Sequence, residues 1–100
     1  MKEEITVIFE NDSLRMETVK SFGAKSSEGF WYDQQEEEIA VVSRGYAILE
    51  FEDEKKVELK AGEKCVIAPH ERHRVAFTSE DCEWICLFFK CVRRHSDTGC

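Results

Sequence analysis

Apolar and polar residues alternate along this chain in short runs, cut at near-regular intervals by turn-forming groups. The turns fall at Asn11-Asp12-Ser13, Gly23 through Gly29, Arg44-Gly45, Asp53-Glu54-Lys55, Ala61-Gly62 and Ser79-Glu80-Asp81. Between them lie eight β-favouring runs: Ile5–Phe9, Leu14–Phe22, Ile39–Ser43, Tyr46–Phe51, Lys56–Leu59, Cys65–Ala68, His73–Thr78 and Trp84–Phe89. Many short strands between regular turns predict an all-β sandwich or barrel. The stretch Gln34–Lys64 is rich in helix formers, but Gly45 and the β-branched Ile39, Val41 and Val42 argue against a helix there.

The alternation assigns faces, because successive side chains of a strand point opposite ways. Leu14, Met16 and Thr18 share one face of their strand; Ala47, Leu49 and Phe51 share one face of theirs. His73, Val75 and Phe77 are predicted to lie together, with Arg74, Ala76 and Thr78 opposite. In the last run Trp84, Cys86 and Phe88 oppose Ile85, Leu87 and Phe89, so both faces are apolar and both need cover. The barrel interior would cover one and a second copy of the chain the other, which predicts a homodimer.

One hundred residues make one domain with one modest core. The expected division is a barrel over residues 1–92 and a flexible C-terminal tail over residues 93–100. A net charge of −7 opposes binding to nucleic acid or an anionic membrane. The basic group Arg93, Arg94 and His95 reads as part of the solvated tail. The apolar run near the start is too short for a signal h-region or a membrane span, so a cytoplasmic location is expected. The 5 cysteines, an odd count, fit reduced thiols. Cys82 and Cys86, four residues apart on an extended chain, stand roughly 13 Å apart, too far for a disulfide. The cysteines read as core filler, with Cys100 an exposed thiol.

Two stretches concentrate the chemistry. Gly29 to Gly45 reads GFWYDQQEEEIAVVSRG, and Gly62 to Phe77 reads GEKCVIAPHERHRVAF with two of the 3 histidines. They are expected to face each other across the inside of the barrel. Tyr32 and Gln34 share one strand face, Trp31 and Asp33 the other. His73 is predicted to point inward beside its apolar neighbours. A buried carboxylate or imidazole must be paired or bind a metal, since an unpaired buried charge is costly. Glu36 and Glu37 read as solvated loop, and Arg72 and Arg74 as a solvated face.

Both stretches resemble the two signature motifs of the cupins. Glu38, followed by six residues and then Gly45, matches the glutamate and glycine of the first motif. Tyr32 and Gln34 stand at the places of its two histidines. Gly62 and His73 match the ends of the second motif, with Pro69 displaced by one residue and His70 in place of a glycine. The pairing of GFWYDQ with HERHRV is similar to a subgroup of short bacterial cupins. The resemblance implies a cupin double-stranded β-helix, or jelly-roll, barrel, often a homodimer, with a metal or small polar ligand in its mouth.

On that resemblance the candidate metal ligands are His73, Glu38, Gln34 and His70, and the ion a divalent Fe, Mn, Ni or Zn. Tyr32, Trp31 and Phe77 are the expected pocket residues. The resemblance permits isomerisation or dioxygenation of a small polar compound, and no residue selects between them. Two further readings are a metal-free binding or sensor module, in which Glu38 and His73 are a structural pair, and a protein-interaction domain. The sequence carries no phosphate-cradling glycine loop, nucleophile elbow or zinc-spaced cysteine pair.

Overall fold

The computed structural model describes residues 3–90; the expected tail and the barrel's expected end at residue 92 lie outside the described residues. Eight strands are arranged in the order β1 (Glu4–Glu10), β2 (Leu14–Lys20), β3 (Glu37–Arg44), β4 (Tyr46–Phe51), β5 (Lys56–Lys60), β6 (Lys64–Ile67), β7 (His73–Thr78) and β8 (Glu83–Phe89). They form a five-stranded sheet, β1-β2-β8-β3-β6, and a three-stranded sheet, β5-β4-β7. Every pairing is antiparallel. Among the described residues no helix is long and apolar enough to cross a membrane.

The sheets pack face to face because each strand presents one apolar side. In β4 the burial alternates strictly: Ala47, Leu49 and Phe51 are buried while Tyr46, Ile48 and Glu50 are less so. In β3, Glu38, Ala40 and Val42 point inward. Trp84 and Cys86 of β8, Leu59 of β5 and Ile67 of β6 complete the interior. Trp84 also has a polar tip to satisfy, and its Nε1–H donates to the buried Ser21 Oγ at 3.0 Å.

Gly45 carries the chain from the larger sheet to the smaller one at φ 81°. A Cβ there would stand 2.5 Å from Ser79 Oγ and 2.9 Å from Cys82 Cα, so only glycine fits.

The predicted alternation in β7 breaks at one residue. Leu49 of β4 is opposite Val75, but Ile48 is opposite Phe77, so Ala76 is an extra residue in a β-bulge. The bulge inverts the facing of the residues beyond Ala76. His73 and Thr78 are both buried, while Phe77 is 45% exposed and packs on Tyr46 at the surface. Phe77 therefore does not share the inward face of His73.

The segment from Ser21 to Glu36 has no strand of its own. β2 ends at Lys20, short of the expected Phe22, because Phe22 and Gly23 both take positive φ and turn the chain. The segment then runs along the outer edge of β7. Ser26 N–H donates to the Val75 carbonyl, and Tyr32 and His73 exchange backbone hydrogen bonds at 2.7 and 3.2 Å.

Candidate functional site

The two sheets do not close fully at one end, and a cavity of about 160 Å³ opens there. Its floor is apolar, formed by Ala40, Leu49, Ile67, Trp84 and Phe88. Its polar wall is Glu38, His73, Gln34 and Tyr32, each placed by a separate structural cause. Glu38 points inward as the first alternating residue of β3. His73 points inward as the first residue of β7, opposite Phe51. Tyr32 is held by its backbone bridge to His73, and Gln34 comes two residues later on the same face.

Glu38 is 7% exposed. Gln34 Nε2 donates to Glu38 Oε1 at 3.1 Å and lies 3.3 Å from the Glu36 carbonyl. Both partners are acceptors, which fixes the amide with its nitrogen toward the carboxyl. His73 Nε2 stands 3.9 Å from Glu38 Oε1, too long for a direct hydrogen bond. His73 Nδ1 lies 2.9 Å from the Glu71 carbonyl, which can only accept. Nδ1 therefore carries a proton, and in the neutral ring Nε2 is left as an acceptor facing the cavity. Tyr32 stacks on this ring with centroids 5.3 Å apart, and Phe51 flanks it at 6.0 Å.

Burial pushes the Glu38 carboxyl above its ordinary range. The Gln34 hydrogen bond, the His73 ring and the Cys86 thiol act the other way and are outweighed. The site thus holds a carboxyl that keeps its proton to higher pH than usual, with His73 Nε2 facing the cavity beside it. Cys86, read from the sequence as core filler, lines the cavity beside Glu38, and burial raises its thiol well above the usual value. Glu17 and Glu3 also line it. The signal for Glu17 was its alternation with Val19 on the inner face of β2.

The other expected site residues lie elsewhere. His70 takes positive φ in the turn after Pro69, and its exposed ring meets Asp33 at 2.8 Å. Trp31 lies on the opposite face of its segment, with the Arg74 guanidinium 5.9 Å from its ring. Arg74 is bonded to Glu50 at 3.0 Å. Glu36 is likewise engaged, accepting from Arg15 at 2.8 Å, whereas Glu37 is exposed. Among the described residues no three His, Cys, Asp or Glu side chains group closely enough to hold a metal ion. Of the four expected donors, Glu38 and His73 converge with the Gln34 amide beside them, and His70 stands apart.

Comparison with known proteins agrees with the fold. The cupin domain family matches residues 21–88. A protein of Ralstonia eutropha JMP134, named as a candidate mannose-6-phosphate isomerase, superposes with a TM-score of 0.84 at 30% identity, over 90% of this chain and 86% of that one. KdgF from Halomonas sp. gives a TM-score of 0.76 at 24% identity, over 92% and 82% of the two chains. A cupin-2 domain protein of Shewanella frigidimarina NCIMB 400 gives 0.72 at 24%, over 87% and 80%. No curated protein matches. With the family match spanning residues 21–88, more than half of the sequence, the chain belongs to the cupin domain family.

Proposed function

We propose that this cupin binds one small polar molecule in the cavity between its sheets, without a metal, using Glu38 and His73 as a proton-transfer pair. The carrying observation is the pair itself: a buried, proton-retaining carboxyl 3.9 Å from an imidazole nitrogen on a different sheet. That gap suits a ligand hydroxyl or a water hydrogen-bonded to both. An acid and a base on one ligand are what isomerisation by proton transfer requires. The likeness to the Ralstonia protein named for an isomerase supports that reaction class.

The lining also bears on which ligand. Glu3, Glu17 and Glu38 face the cavity, and no lysine or arginine among the described residues lines it. The nearby guanidinium of Arg15 is already bonded to Glu17 at 2.9 Å and Glu36 at 2.8 Å. A phosphorylated sugar would find no cation, so the proposed ligand is neutral or cationic. A volume of about 160 Å³ is small for a ligand site, which limits it to a compact molecule.

The competing reading places a divalent ion between Glu38 and His73, the two donors that do converge. Elemental analysis of untagged protein, before and after reloading with Fe, Mn, Ni and Zn, separates the two. Stoichiometric metal lost in His73→Ala and Glu38→Gln would establish the ion. Metal-free protein whose melting point rises with neutral sugars and polyols but not with their phosphates, and no longer does so in Glu38→Gln, is the result expected here.

A further inference from the structure

Glu38 is not the only carboxyl in the cavity. Glu17 lines it from β2, opposite Cys86, with β8 between it and Glu38. Glu3, just ahead of β1, lines it too. The Glu17 side chain is 15% exposed. Its Oε2 accepts from Arg15 Nε at 2.9 Å, and its Oε1 has no hydrogen-bond partner among the described residues. Arg15 is shared, because its Nη1 donates to Glu36 at 2.8 Å. One guanidinium thus faces two carboxylates, and Glu3 adds a third, so negative charge is in excess on this side of the cavity. The charge acts inside as well. Burial does most to raise the Cys86 thiol and the Tyr32 hydroxyl, and the carboxylates add to it: Glu38, Glu17 and Glu3 at Cys86, Glu3 and Glu38 at Tyr32.

Acidic side chains at a rim are usually hydrated and nothing more. Here a second observation points to a guest. His73 is 4% exposed, and its Nε2 faces the cavity with no hydrogen-bond partner among the described residues; Glu38 Oε1, at 3.9 Å, is too far. A polar atom that deep is normally bonded, and a guest hydroxyl would supply the bond. The floor also offers the aromatic faces of Trp84 and Phe88. Phe88 already carries the Arg15 guanidinium 4.3 Å from its ring centroid. The rim therefore holds one cation of the chain's own, between the Glu17 carboxylate and an aromatic face.

We propose that the ligand is a compact amino alcohol whose ammonium group pairs with Glu17, within the field of Glu3, while its hydroxyl lies at Glu38 and His73. The inference rests on the reading of Glu38 and His73 as the ligand-binding pair and names the class of molecule they take. An ammonium group has only donors, which suits a wall of carboxylate oxygens. Fixed negative charge in a partly closed site favours a cation and repels an anion. Size narrows the class. A cavity of about 150 Å³ holds a benzene-sized guest, so one of about 160 Å³ encloses a skeleton of about six heavy atoms. An amino diol on a three-carbon skeleton fits, and a hexosamine is too large to be enclosed.

The test uses the full chain and three molecules: glycerol, glycerate, and the amino diol made by replacing one terminal hydroxyl of glycerol with an amine. They share a skeleton and differ at one end, which is hydroxyl, carboxylate or ammonium at neutral pH. NMR titration of isotope-labelled protein, following the amide signals of β3, β7 and β8, reads affinities into the millimolar range. The amino diol should bind at least about tenfold more tightly than glycerol, and glycerate more weakly than either. Glu17→Gln keeps an acceptor for Arg15 but loses the charge. In it the preference for the amino diol over glycerol should fall to near parity, and Glu3→Gln should lower it in part. The preference is read within one variant, so a general weakening of the pocket does not imitate the result. Equal binding of amino diol and glycerol by the wild type overturns the amino alcohol and leaves the Glu38–His73 site standing. So does a preference that survives unchanged in Glu17→Gln. Binding of none of the three overturns both.

Discussion

His73 and Glu38 belong to different sheets, yet His73 Nε2 and Glu38 Oε1 stand 3.9 Å apart. The spacing depends on two strand starts: β3 begins at Glu37 and β7 at His73, and both enter the sandwich at its open end. A relative slide of the sheets would change this distance. The pair therefore measures how the halves of the fold sit together.

The buried carboxyl makes stability depend on pH. The folded value for Glu38 lies above its ordinary 4.5. A raised value means the group's contribution is fully present below 4.5 and is lost as pH rises through the folded value. Glu38→Gln stays neutral throughout, so it removes that loss. Urea unfolding at several pH values should show the wild type falling relative to Glu38→Gln above pH 4.5. The relative slope should reach at most about 1.4 kcal/mol per pH unit. Parallel curves would contradict the assignment.

Ser21→Ala should cost about 1–3 kcal/mol, because it leaves the Trp84 Nε1–H buried without an acceptor. Adding Trp84→Phe to Ser21→Ala removes the orphaned donor. The double variant should then lose less than the sum of the two single losses in chemical denaturation.

Gly45 and Gly62 both have positive φ, at 81° and 89°, but differ in surroundings. A Cβ at Gly62 meets nothing within 4 Å, whereas one at Gly45 strikes Ser79, Asp81 and the Cys82 backbone. Gly62→Ala should cost only the backbone strain, about 1–2 kcal/mol. Gly45→Ala should cost at least about 2 kcal/mol more, since overlap with backbone is added. Equal losses in thermal unfolding would show that the β3–β4 corner yields.

Cys82 and Cys86 should resist alkylation in the folded protein at about pH 8. Burial raises the Cys82 thiol to about 11 and pushes Cys86 up as well. Roughly one Cys82 in a thousand is then thiolate, and access is blocked too. Peptide mapping after iodoacetamide treatment should find both unmodified without denaturant and modified in urea.

All eight strands were legible in the sequence, because alternation and turn residues agree along the chain. The gathering of Glu38, His73, Gln34 and Tyr32 was implied by the resemblance of the two stretches to the cupin motifs. The misplacement of Phe77 has a local cause. A bulge inserts one residue without a distinctive composition, and Val75-Ala76-Phe77 reads equally well with or without it. His70 shares the HERH stretch with His73, but its left-handed backbone turns the ring outward, and that depends on the turn Ala68–Glu71 rather than on spacing. Cys86 escaped notice because a small buried thiol looks the same in a solid core and on a cavity wall.

The hydrogen bonds between the Ser21–Glu36 segment and β7 have a second consequence. β7 is the last strand of its sheet, and an uncovered strand of that kind recruits neighbours into aggregates. Ser26 and Tyr32 occupy its outward backbone groups, so the segment that sets Tyr32 on the His73 ring also covers this edge of the sheet. The proposed ligand site and the cover of this sheet edge are thereby tied to one length of chain. Substitutions that free Tyr32 from His73 should cloud the solution as readily as they empty the pocket.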